Sequence, residues 1–290
     1  MIVNPRAGTR RGLSILKSVE SLFAAANTTL DLHTTTHAGH ARELAQQLPL
    51  ENCAGICVIG GDGSIHEVIN GLMRRQDPAD VPFGVIPGGT GNTVAEHLGC
   101  LDPRVAAGRM VSGHQRPLDV ARVTAAGNTE YCVNIVGWGA VVDINRTAER
   151  LRRLGPARYA LAALWHILWS RHRRAKLTID GRVIEDEFAF IVGCNTQFTG
   201  RGMKLAPDAA IDDGLIDLVI TRHASRSQFV TLFKNVFDGS HVSLPCVRIH
   251  RARTFEIESA TPDPLNMDGE LKGATPLRVE MVPSALRVFA

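Results

Sequence analysis

An apolar run, Gly55 to Ile59, empties into Gly60-Gly61-Asp62-Gly63-Ser64 and passes at once into the helical pattern of Ile65-His66-Glu67-Val68-Ile69-Asn70-Gly71. A short buried strand that breaks on glycines and restarts as a helix is one unit of an α/β fold with a parallel sheet. Ser64 and Glu67 have the S-x-x-E spacing that predicts a capping box at the helix start. The glycines let backbone N–H groups approach an anion, so the turn is built to receive phosphate. Asp62 has no evident structural reason to stand there, because a carboxylate beside a phosphate repels it unless Mg²⁺ lies between them. The turn therefore predicts a metal–nucleotide site.

A second turn of the same construction follows. Phe83 to Pro87 reads as another short strand, and Gly88-Gly89-Thr90-Gly91-Asn92 opens the helix that carries Val94, Ala95 and Leu98. Either loop alone is equally a case of tight βα packing, whereas two such loops can face one ligand. No G-x-x-x-x-G-K-[ST] occurs, and the first loop lacks the third glycine of a dinucleotide fingerprint. The H-R-D and D-F-G motifs of protein kinases are absent too.

Composition narrows the class. With 290 residues, 44% of them hydrophobic, the chain can bury a full core in one large or two ordinary domains. Its formal charge of +3 is too small a bias to argue for nucleic acid. Cysteines at 53, 57, 100, 132, 194 and 246 form no C-x-x-C pair and read as buried thiols of a reducing cytosol. Met1-Ile2-Val3 leads straight into Asn4-Pro5, unlike a signal peptide, and no apolar stretch approaches the roughly 20 residues of a membrane span.

Up to residue 117 strand and helix alternate: Ile2-Val3, helix 11–25, Leu30 to His33, helix 38–48, then the two glycine-rich units. Ligands of such sheets bind beyond the carboxyl ends of the strands, where these turns fall. From Leu118 onward strands dominate, at 118–124, 130–137, 175–180, 184–193, 214–221, 246–250, 254–258, 264–272 and 277–289. Gly127-Asn128 and Asp180-Gly181 mark turns, and helices are inserted near 143–172 and 225–238, the latter capped by Ser225 and Gln228. The expected organisation is an α/β domain over 1–117 and a β-rich domain, a sandwich, over 118–290.

Four blocks together resemble the diacylglycerol kinase catalytic-domain superfamily, which includes bacterial lipid kinases, sphingosine kinases and ceramide kinases. They are Asn4-Pro5-Arg6-Ala7-Gly8, Gly60 to Gly71, Pro87 to Asn92, and Asp268-Gly269-Glu270, with a weaker stretch at Leu205-Ala206-Pro207 and Asp212 to Asp217. G-G-D-G alone is shared with NAD kinases and phosphofructokinases; the first and third blocks separate the lipid-kinase branch from them. The resemblance implies an N-terminal nucleotide-binding α/β domain, a C-terminal β-sandwich domain, and phosphate transfer from ATP in the cleft between them. Carried over by position, Asn4, Pro5, Arg6, Ala7, Gly8, Thr36, Gly61, Asp62, Gly63, Ser64, Glu67, Gly89, Thr90, Gly91 and Asn92 contact the nucleotide. Trp138 to Asn145, followed by Arg152 to Arg158, is similar to sphingosine kinases, in which arginines matching Arg152 and Arg158 hold phosphates. A solvated basic helix face explains the same arginines. Where those enzymes place a carboxylate for the substrate amine this chain has Asn145, with Asp143 as the neighbouring acid.

For the chemistry, Asp62 is the carboxylate of the MgATP centre, and the resemblance implies a second Mg²⁺ position at Asp213, which a simple turn before Gly214 would also explain. Family precedent offers both Glu270 and Asp62 as general base, with Asp268 beside Glu270 in the catalytic block. Glu270 is preferred, since a carboxylate bound to Mg²⁺ has lowered proton affinity. Asp268-Gly269 also reads as a plain hairpin turn. The apolar stretch Tyr159 to Trp169 and the basic Arg171 to Lys176 suit a membrane interface or a core helix with a charged exit. The expectation is an ATP- and Mg²⁺-dependent kinase acting on a lipid hydroxyl, of diacylglycerol or a sphingoid-like lipid. Its expected setting is cytoplasmic, peripheral at the inner membrane face, with a lipid partner, a homodimer allowed, no nucleic acid and no transmembrane segment. The alternatives are a small-molecule kinase of the NAD-kinase type and a non-catalytic nucleotide- or lipid-binding protein.

Overall fold

The computed structural model describes residues 1–77, 81–151, 161–163, 165–166, 172–200 and 202–290. The chain forms two compact units. The first comprises Met1–Val120, Ile211–Asp213 and Val282–Ala290; the second comprises Ala121–Ala210 and Gly214–Met281. Three residues before Gly214 and the last nine thus join the first unit, although the sequence pattern groups them with the second domain.

In the first unit, β1 (Ile2–Val3), β2 (His33–Thr34), β3 (Ile56–Gly60) and β4 (Phe83–Pro87) form a parallel sheet in the order β2-β1-β3-β4. Ile2 is in register with His33 and Val58, and Ile56 with Phe83. Val58, Ile59, Phe83 and Ile86 are fully buried, which is why both central strands read as unbroken apolar runs. Their helices are α1 (Ala7–Arg10), a single kinked turn, α2 (Gly12–Ala25), α3 (His40–Gln47), α4 (Asp62–Leu72), α5 (Thr93–His97) and α6 (Pro103–Ser112). The strand expected over Leu30 to His33 is instead His33–Thr34, because β1 offers only two residues to pair with. The pattern also missed α6, which Asp102 caps by accepting from the amides of Arg104 and Val105, and which Gly113 ends at φ 75°.

The second unit is antiparallel. Its strands are β5 (Gln115–Ala125), which enters from the first unit, β6 (Asn128–Cys132), β7 (Ile135–Gly139), β8 (Arg173–Ile179), β9 (Arg182–Cys194), β10 (Ile216–Arg222), β11 (Val247–Ala252), β12 (Thr254–Ser259), β13 (Pro264–Met267), β14 (Glu270–Ala274) and β15 (Leu277–Phe289), which from Val282 on belongs to the first unit. The order β14-β13-β7-β9-β8-β12-β15 runs across the sheet, with β10 between β9 and β11. One apolar core gathers Trp138, Phe188, Leu177 and Phe255. A second, with Phe190, Val219 and Val247, packs under α8 (Arg226–Asn235); α7 (Ala140–Arg150) follows β7. Ser225 and Gln228 make the expected capping box, Gln228 N donating to Ser225 Oγ and Ser225 N to Gln228 Oε1.

Two expected strands are divided. The stretch 130–137 breaks at Val133-Asn134, where the amides leave the ladder to bond a carboxylate described below. The stretch 264–272 is a hairpin whose corner, Asp268 at φ 52° and Gly269 at φ 94°, is the left-handed pair of a tight two-residue turn. The β5–β6 corner is Ala126-Gly127, one residue earlier than the sequence signal. Cysteines are all free; three of them are buried as expected, but Cys53 is exposed and Cys57 and Cys246 are half-buried.

Candidate active site

Three loops leave the carboxyl ends of β1, β3 and β4 and lock to one another within the first unit. Asn4 is the hub of the first: its amide donates to Ile59 O at 2.9 Å, its Oδ1 accepts from Arg6 N at 2.9 Å, and its Nδ2 donates to Ser64 Oγ at 2.9 Å. Gly8 bends back at φ 57°, and a Cβ there would lie 2.7 Å from Gly88 O, so only glycine lets the first and third loops touch. Gly88 N in turn donates to Gly60 O at 2.8 Å. Gly61 and Gly89 face each other so closely that a Cβ on Gly61 would sit 2.9 Å from Gly89 Cα. Asn92, at φ 56°, closes its own loop, its Oδ1 accepting from Gly89 N at 2.8 Å and its Nδ2 donating to Gly89 O at 3.0 Å. Thr90 and Arg6 are exposed at this edge, while Ala7 is buried and Pro5 half-buried.

Asp62 joins the two glycine loops. Its Oδ1 accepts from Thr93 N at 2.7 Å, and its Oδ2 stands where a Cβ of residue 91 would be, which explains Gly91. The carboxylate therefore has the structural task that the sequence did not reveal, and Thr93 is the partner the sequence reading missed. A hard oxygen donor beside glycine amides matches the donor set Mg²⁺ takes with one or two carboxylates plus phosphate. Gly63 lies in the first turn of α4, where amides have no intrahelical acceptor.

The predicted capping box at Ser64 and Glu67 does not form. Gly61, extended at φ −103°, is the N-cap and α4 begins at Asp62, two residues before Ser64. Ser64 is instead buried and accepts from Asn4, and both oxygens of Glu67 are turned to α3, accepting from Gly39 N at 2.9 Å and Ala41 N at 3.1 Å. Glu67 thus caps a neighbouring helix. Thr36 follows β2 and is exposed; its amide donates to His40 Nδ1 at 3.1 Å. His66 is buried in α4, only 1% exposed. Asp213 is exposed in the segment that returns to the first unit, next to Asp212, which pairs with Arg116 at 2.9 Å.

In the second unit, Asp268 is 4% exposed and its carboxylate accepts from three successive amides, Val133 at 3.1 Å, Asn134 at 2.9 Å and Ile135 at 3.0 Å. The next two residues are exposed, so the hairpin corner holds Glu270 out into solvent. Asn266 Oδ1 accepts from Gly269 N at 2.8 Å, and Asn145 Nδ2 donates to Gly269 O at 2.7 Å. Asn266 closes the turn across three residues, a site residue that no sequence motif signals. Asp143 is paired with Arg173 at 2.7 Å, and Arg173 also lies 3.4 Å from Asp263. Arg152, Arg158, Tyr159, Trp169 and Arg171 lie outside the described residues; Trp165 is 56% exposed.

Residues 1–123 match the diacylglycerol kinase catalytic domain, and residues 134–290 match the YegS C-terminal NAD kinase beta sandwich-like domain. The chain belongs to the diacylglycerol kinase catalytic-domain family. A diacylglycerol kinase of Bacillus subtilis (strain 168) is 30% identical over 280 residues, covering 95% of this chain and 90% of that protein. Sphingosine kinase 1 of Arabidopsis thaliana is 25% identical over 329 residues, covering 93% and 67%. A solved diacylglycerol kinase from Bacillus anthracis str. Sterne superposes with a TM-score of 0.76 over 99% of this chain and 94% of that one, at 23% identity, which speaks for the fold. The resemblance read from the four sequence blocks is borne out, as is the fold class of a parallel α/β unit followed by a sandwich-like domain. Among the described residues no helix is long and apolar enough to cross a membrane.

The interlocking of the family's glycine loops has a testable cost. Gly89→Ala puts a methyl group into Gly61 and should destabilise the first unit by about 1–3 kcal/mol. Thermal melting reads the loss. A variant that melts like the parent would show that the loops do not need this contact.

Proposed function

We propose that this chain is an ATP- and Mg²⁺-dependent lipid kinase that transfers the γ-phosphate to the hydroxyl of an uncharged glycerolipid of the diacylglycerol type, working at the cytoplasmic surface of a membrane. The observation that carries the reading is the joining of the two glycine loops through Asp62 and Thr93 at the carboxyl ends of parallel strands. Family membership supports the kinase class.

In this reading the first unit is the nucleotide domain. Amides of Gly61, Gly63 and Gly91 face the phosphates, Gly89 and the Asn4–Gly8 loop shape the cradle around them, and Asp62 would hold Mg²⁺. Bound there, Mg²⁺ supplies charge neutralisation on the phosphate oxygens. Arg152 and Arg158 add guanidinium contacts to phosphate, and Asp213 is a second metal position. The second unit is the lipid domain and contributes Glu270 as general base. The acceptor hydroxyl oxygen forms its bond to the γ-phosphorus as the bond to the β–γ bridging oxygen breaks; the hydroxyl proton passes to Glu270 and ADP leaves. Asp268 serves this step by fixing the turn that presents Glu270.

Two side chains support an uncharged acceptor over a sphingoid base. Asn145, where sphingosine kinases carry a carboxylate, has no charge and spends its Nδ2 on Gly269. The neighbouring carboxylate, Asp143, is already ion-paired at 2.7 Å with Arg173, which it shares with Asp263. Neither offers an ammonium group the unpaired anion it needs. Transfer of ³²P from ATP to dioleoylglycerol in mixed micelles should exceed transfer to sphingosine by at least about tenfold in kcat/KM. Equal or better use of sphingosine would refute the acceptor assignment, and phosphorylation of NAD with neither lipid used would move the protein to the small-molecule kinases.

A further inference from the structure

The Asp268-Gly269 corner is held from three sides, and each hold has a different chemistry. Asp268 accepts from three backbone amides, and Asn266 accepts from the amide of Gly269. The third hold comes from another element altogether: Asn145, in α7, donates its Nδ2 to Gly269 O at 2.7 Å from a site only 7% exposed. Gly269 immediately precedes Glu270, so that carbonyl belongs to the peptide bond that carries the Glu270 amide. A hydrogen bond to it sets the plane of that peptide and the direction in which the Glu270 side chain leaves the hairpin.

We propose that Asn145 is a positioning residue: its donated hydrogen bond to Gly269 O fixes the orientation of Glu270 for phosphoryl transfer. The proposal rests on Glu270 acting as the base, and it assigns α7 the task of aiming that base. The role needs a donor at this point, because the group it meets is a carbonyl oxygen. An aspartate has nearly the same shape but, when ionised, sets a negative oxygen against that carbonyl and repels it. Protonated, the same carboxyl can donate and restore the bond. Burial and the facing carbonyl both favour its protonated form.

The test is Asn145→Asp beside Asn145→Ala and Glu270→Gln, assayed with MgATP and dioleoylglycerol micelles between pH 5.5 and 8. At pH 8 the aspartate variant should show a kcat about 10- to 100-fold below the parent, with KM for ATP within about twofold, since the nucleotide loops are untouched. As pH falls to 5.5 the ratio of variant to parent kcat should climb by about tenfold, while the alanine variant stays low at every pH. That recovery within one folded variant is not expected of a role in stability alone. Parental kcat in Asn145→Asp at pH 8, or a ratio that does not move with pH, overturns the positioning role. Glu270→Gln separates the two layers of argument: if it is inactive while Asn145→Asp is normal, positioning alone fails, and if it retains parental activity, the assignment of the base falls and the positioning role with it.

Discussion

Asp62→Ala should lower turnover by on the order of a thousandfold, with loss of the Mg²⁺ dependence of whatever activity remains. The size of the effect follows from two losses in one side chain. Removing the carboxylate takes away the hard oxygen donor for the metal, and it also leaves Thr93 N, now bonded at 2.7 Å, without that acceptor. Asp62→Asn separates them. Its amide oxygen still accepts from Thr93, so the loops should stay joined and the melting temperature should hold near the parent, while the charge is gone. Turnover that falls as far in Asp62→Asn as in Asp62→Ala assigns the effect to charge. Parental kcat in Asp62→Asn would remove Asp62 from the metal site. A dead Asp62→Asn beside a fully active Glu270→Ala would instead make Asp62 the base.

The second large effect is a contrast between neighbours two residues apart. Glu270→Ala should cut kcat by about 10²- to 10⁴-fold, the usual range for a general base, and leave the melting temperature within about 1 °C because the side chain is exposed. Asp268→Ala should do the reverse in emphasis. It strips three amides of their acceptor at a site 4% exposed, a loss of about 3 kcal/mol or more in stability, or roughly 5–10 °C in melting temperature. Calorimetry and initial rates on the two variants give the answer together. An Asp268→Ala protein as stable as the parent would show that the amide bonds are dispensable, and an unaltered kcat in Glu270→Ala would end its assignment as base.

Much of this was legible in the chain because each feature was local. Central strands β3 and β4 show as apolar runs, the glycine turns as punctuation, and the Ser225–Gln228 cap as a four-residue pattern whose partners are its own neighbours. The same reasoning misread Ser64 and Glu67. Their spacing matches a capping box, but their partners come from Asn4 and from the start of α3, about sixty and twenty-six residues away in sequence. Likewise Asp62 reads as functional for want of a local partner, and its link to Thr93 becomes visible only when two loops are brought together. The stretch 130–137 reads as one strand because nothing near it signals a break; the cause of its division is a carboxylate more than 130 residues later. Local rules recover elements, and long-range side-chain bonds decide where those elements stop.

The last strand carries a consequence for synthesis. Ser284 N bonds Asp119 Oδ1 at 2.6 Å, Val288 pairs with Phe83, and Ala290 N donates to His114 O, so the first unit contains segments from both ends of the chain. At ribosomal speeds its first 120 residues wait on the order of ten seconds for these closing contacts. During that wait one edge of β4 lacks its Val288 pairing partner, an opening for a chaperone or for a neighbouring nascent chain. Expressed alone, a fragment ending near Val120 should therefore be prone to aggregate, whereas supplying 282–290 through a short linker should rescue it.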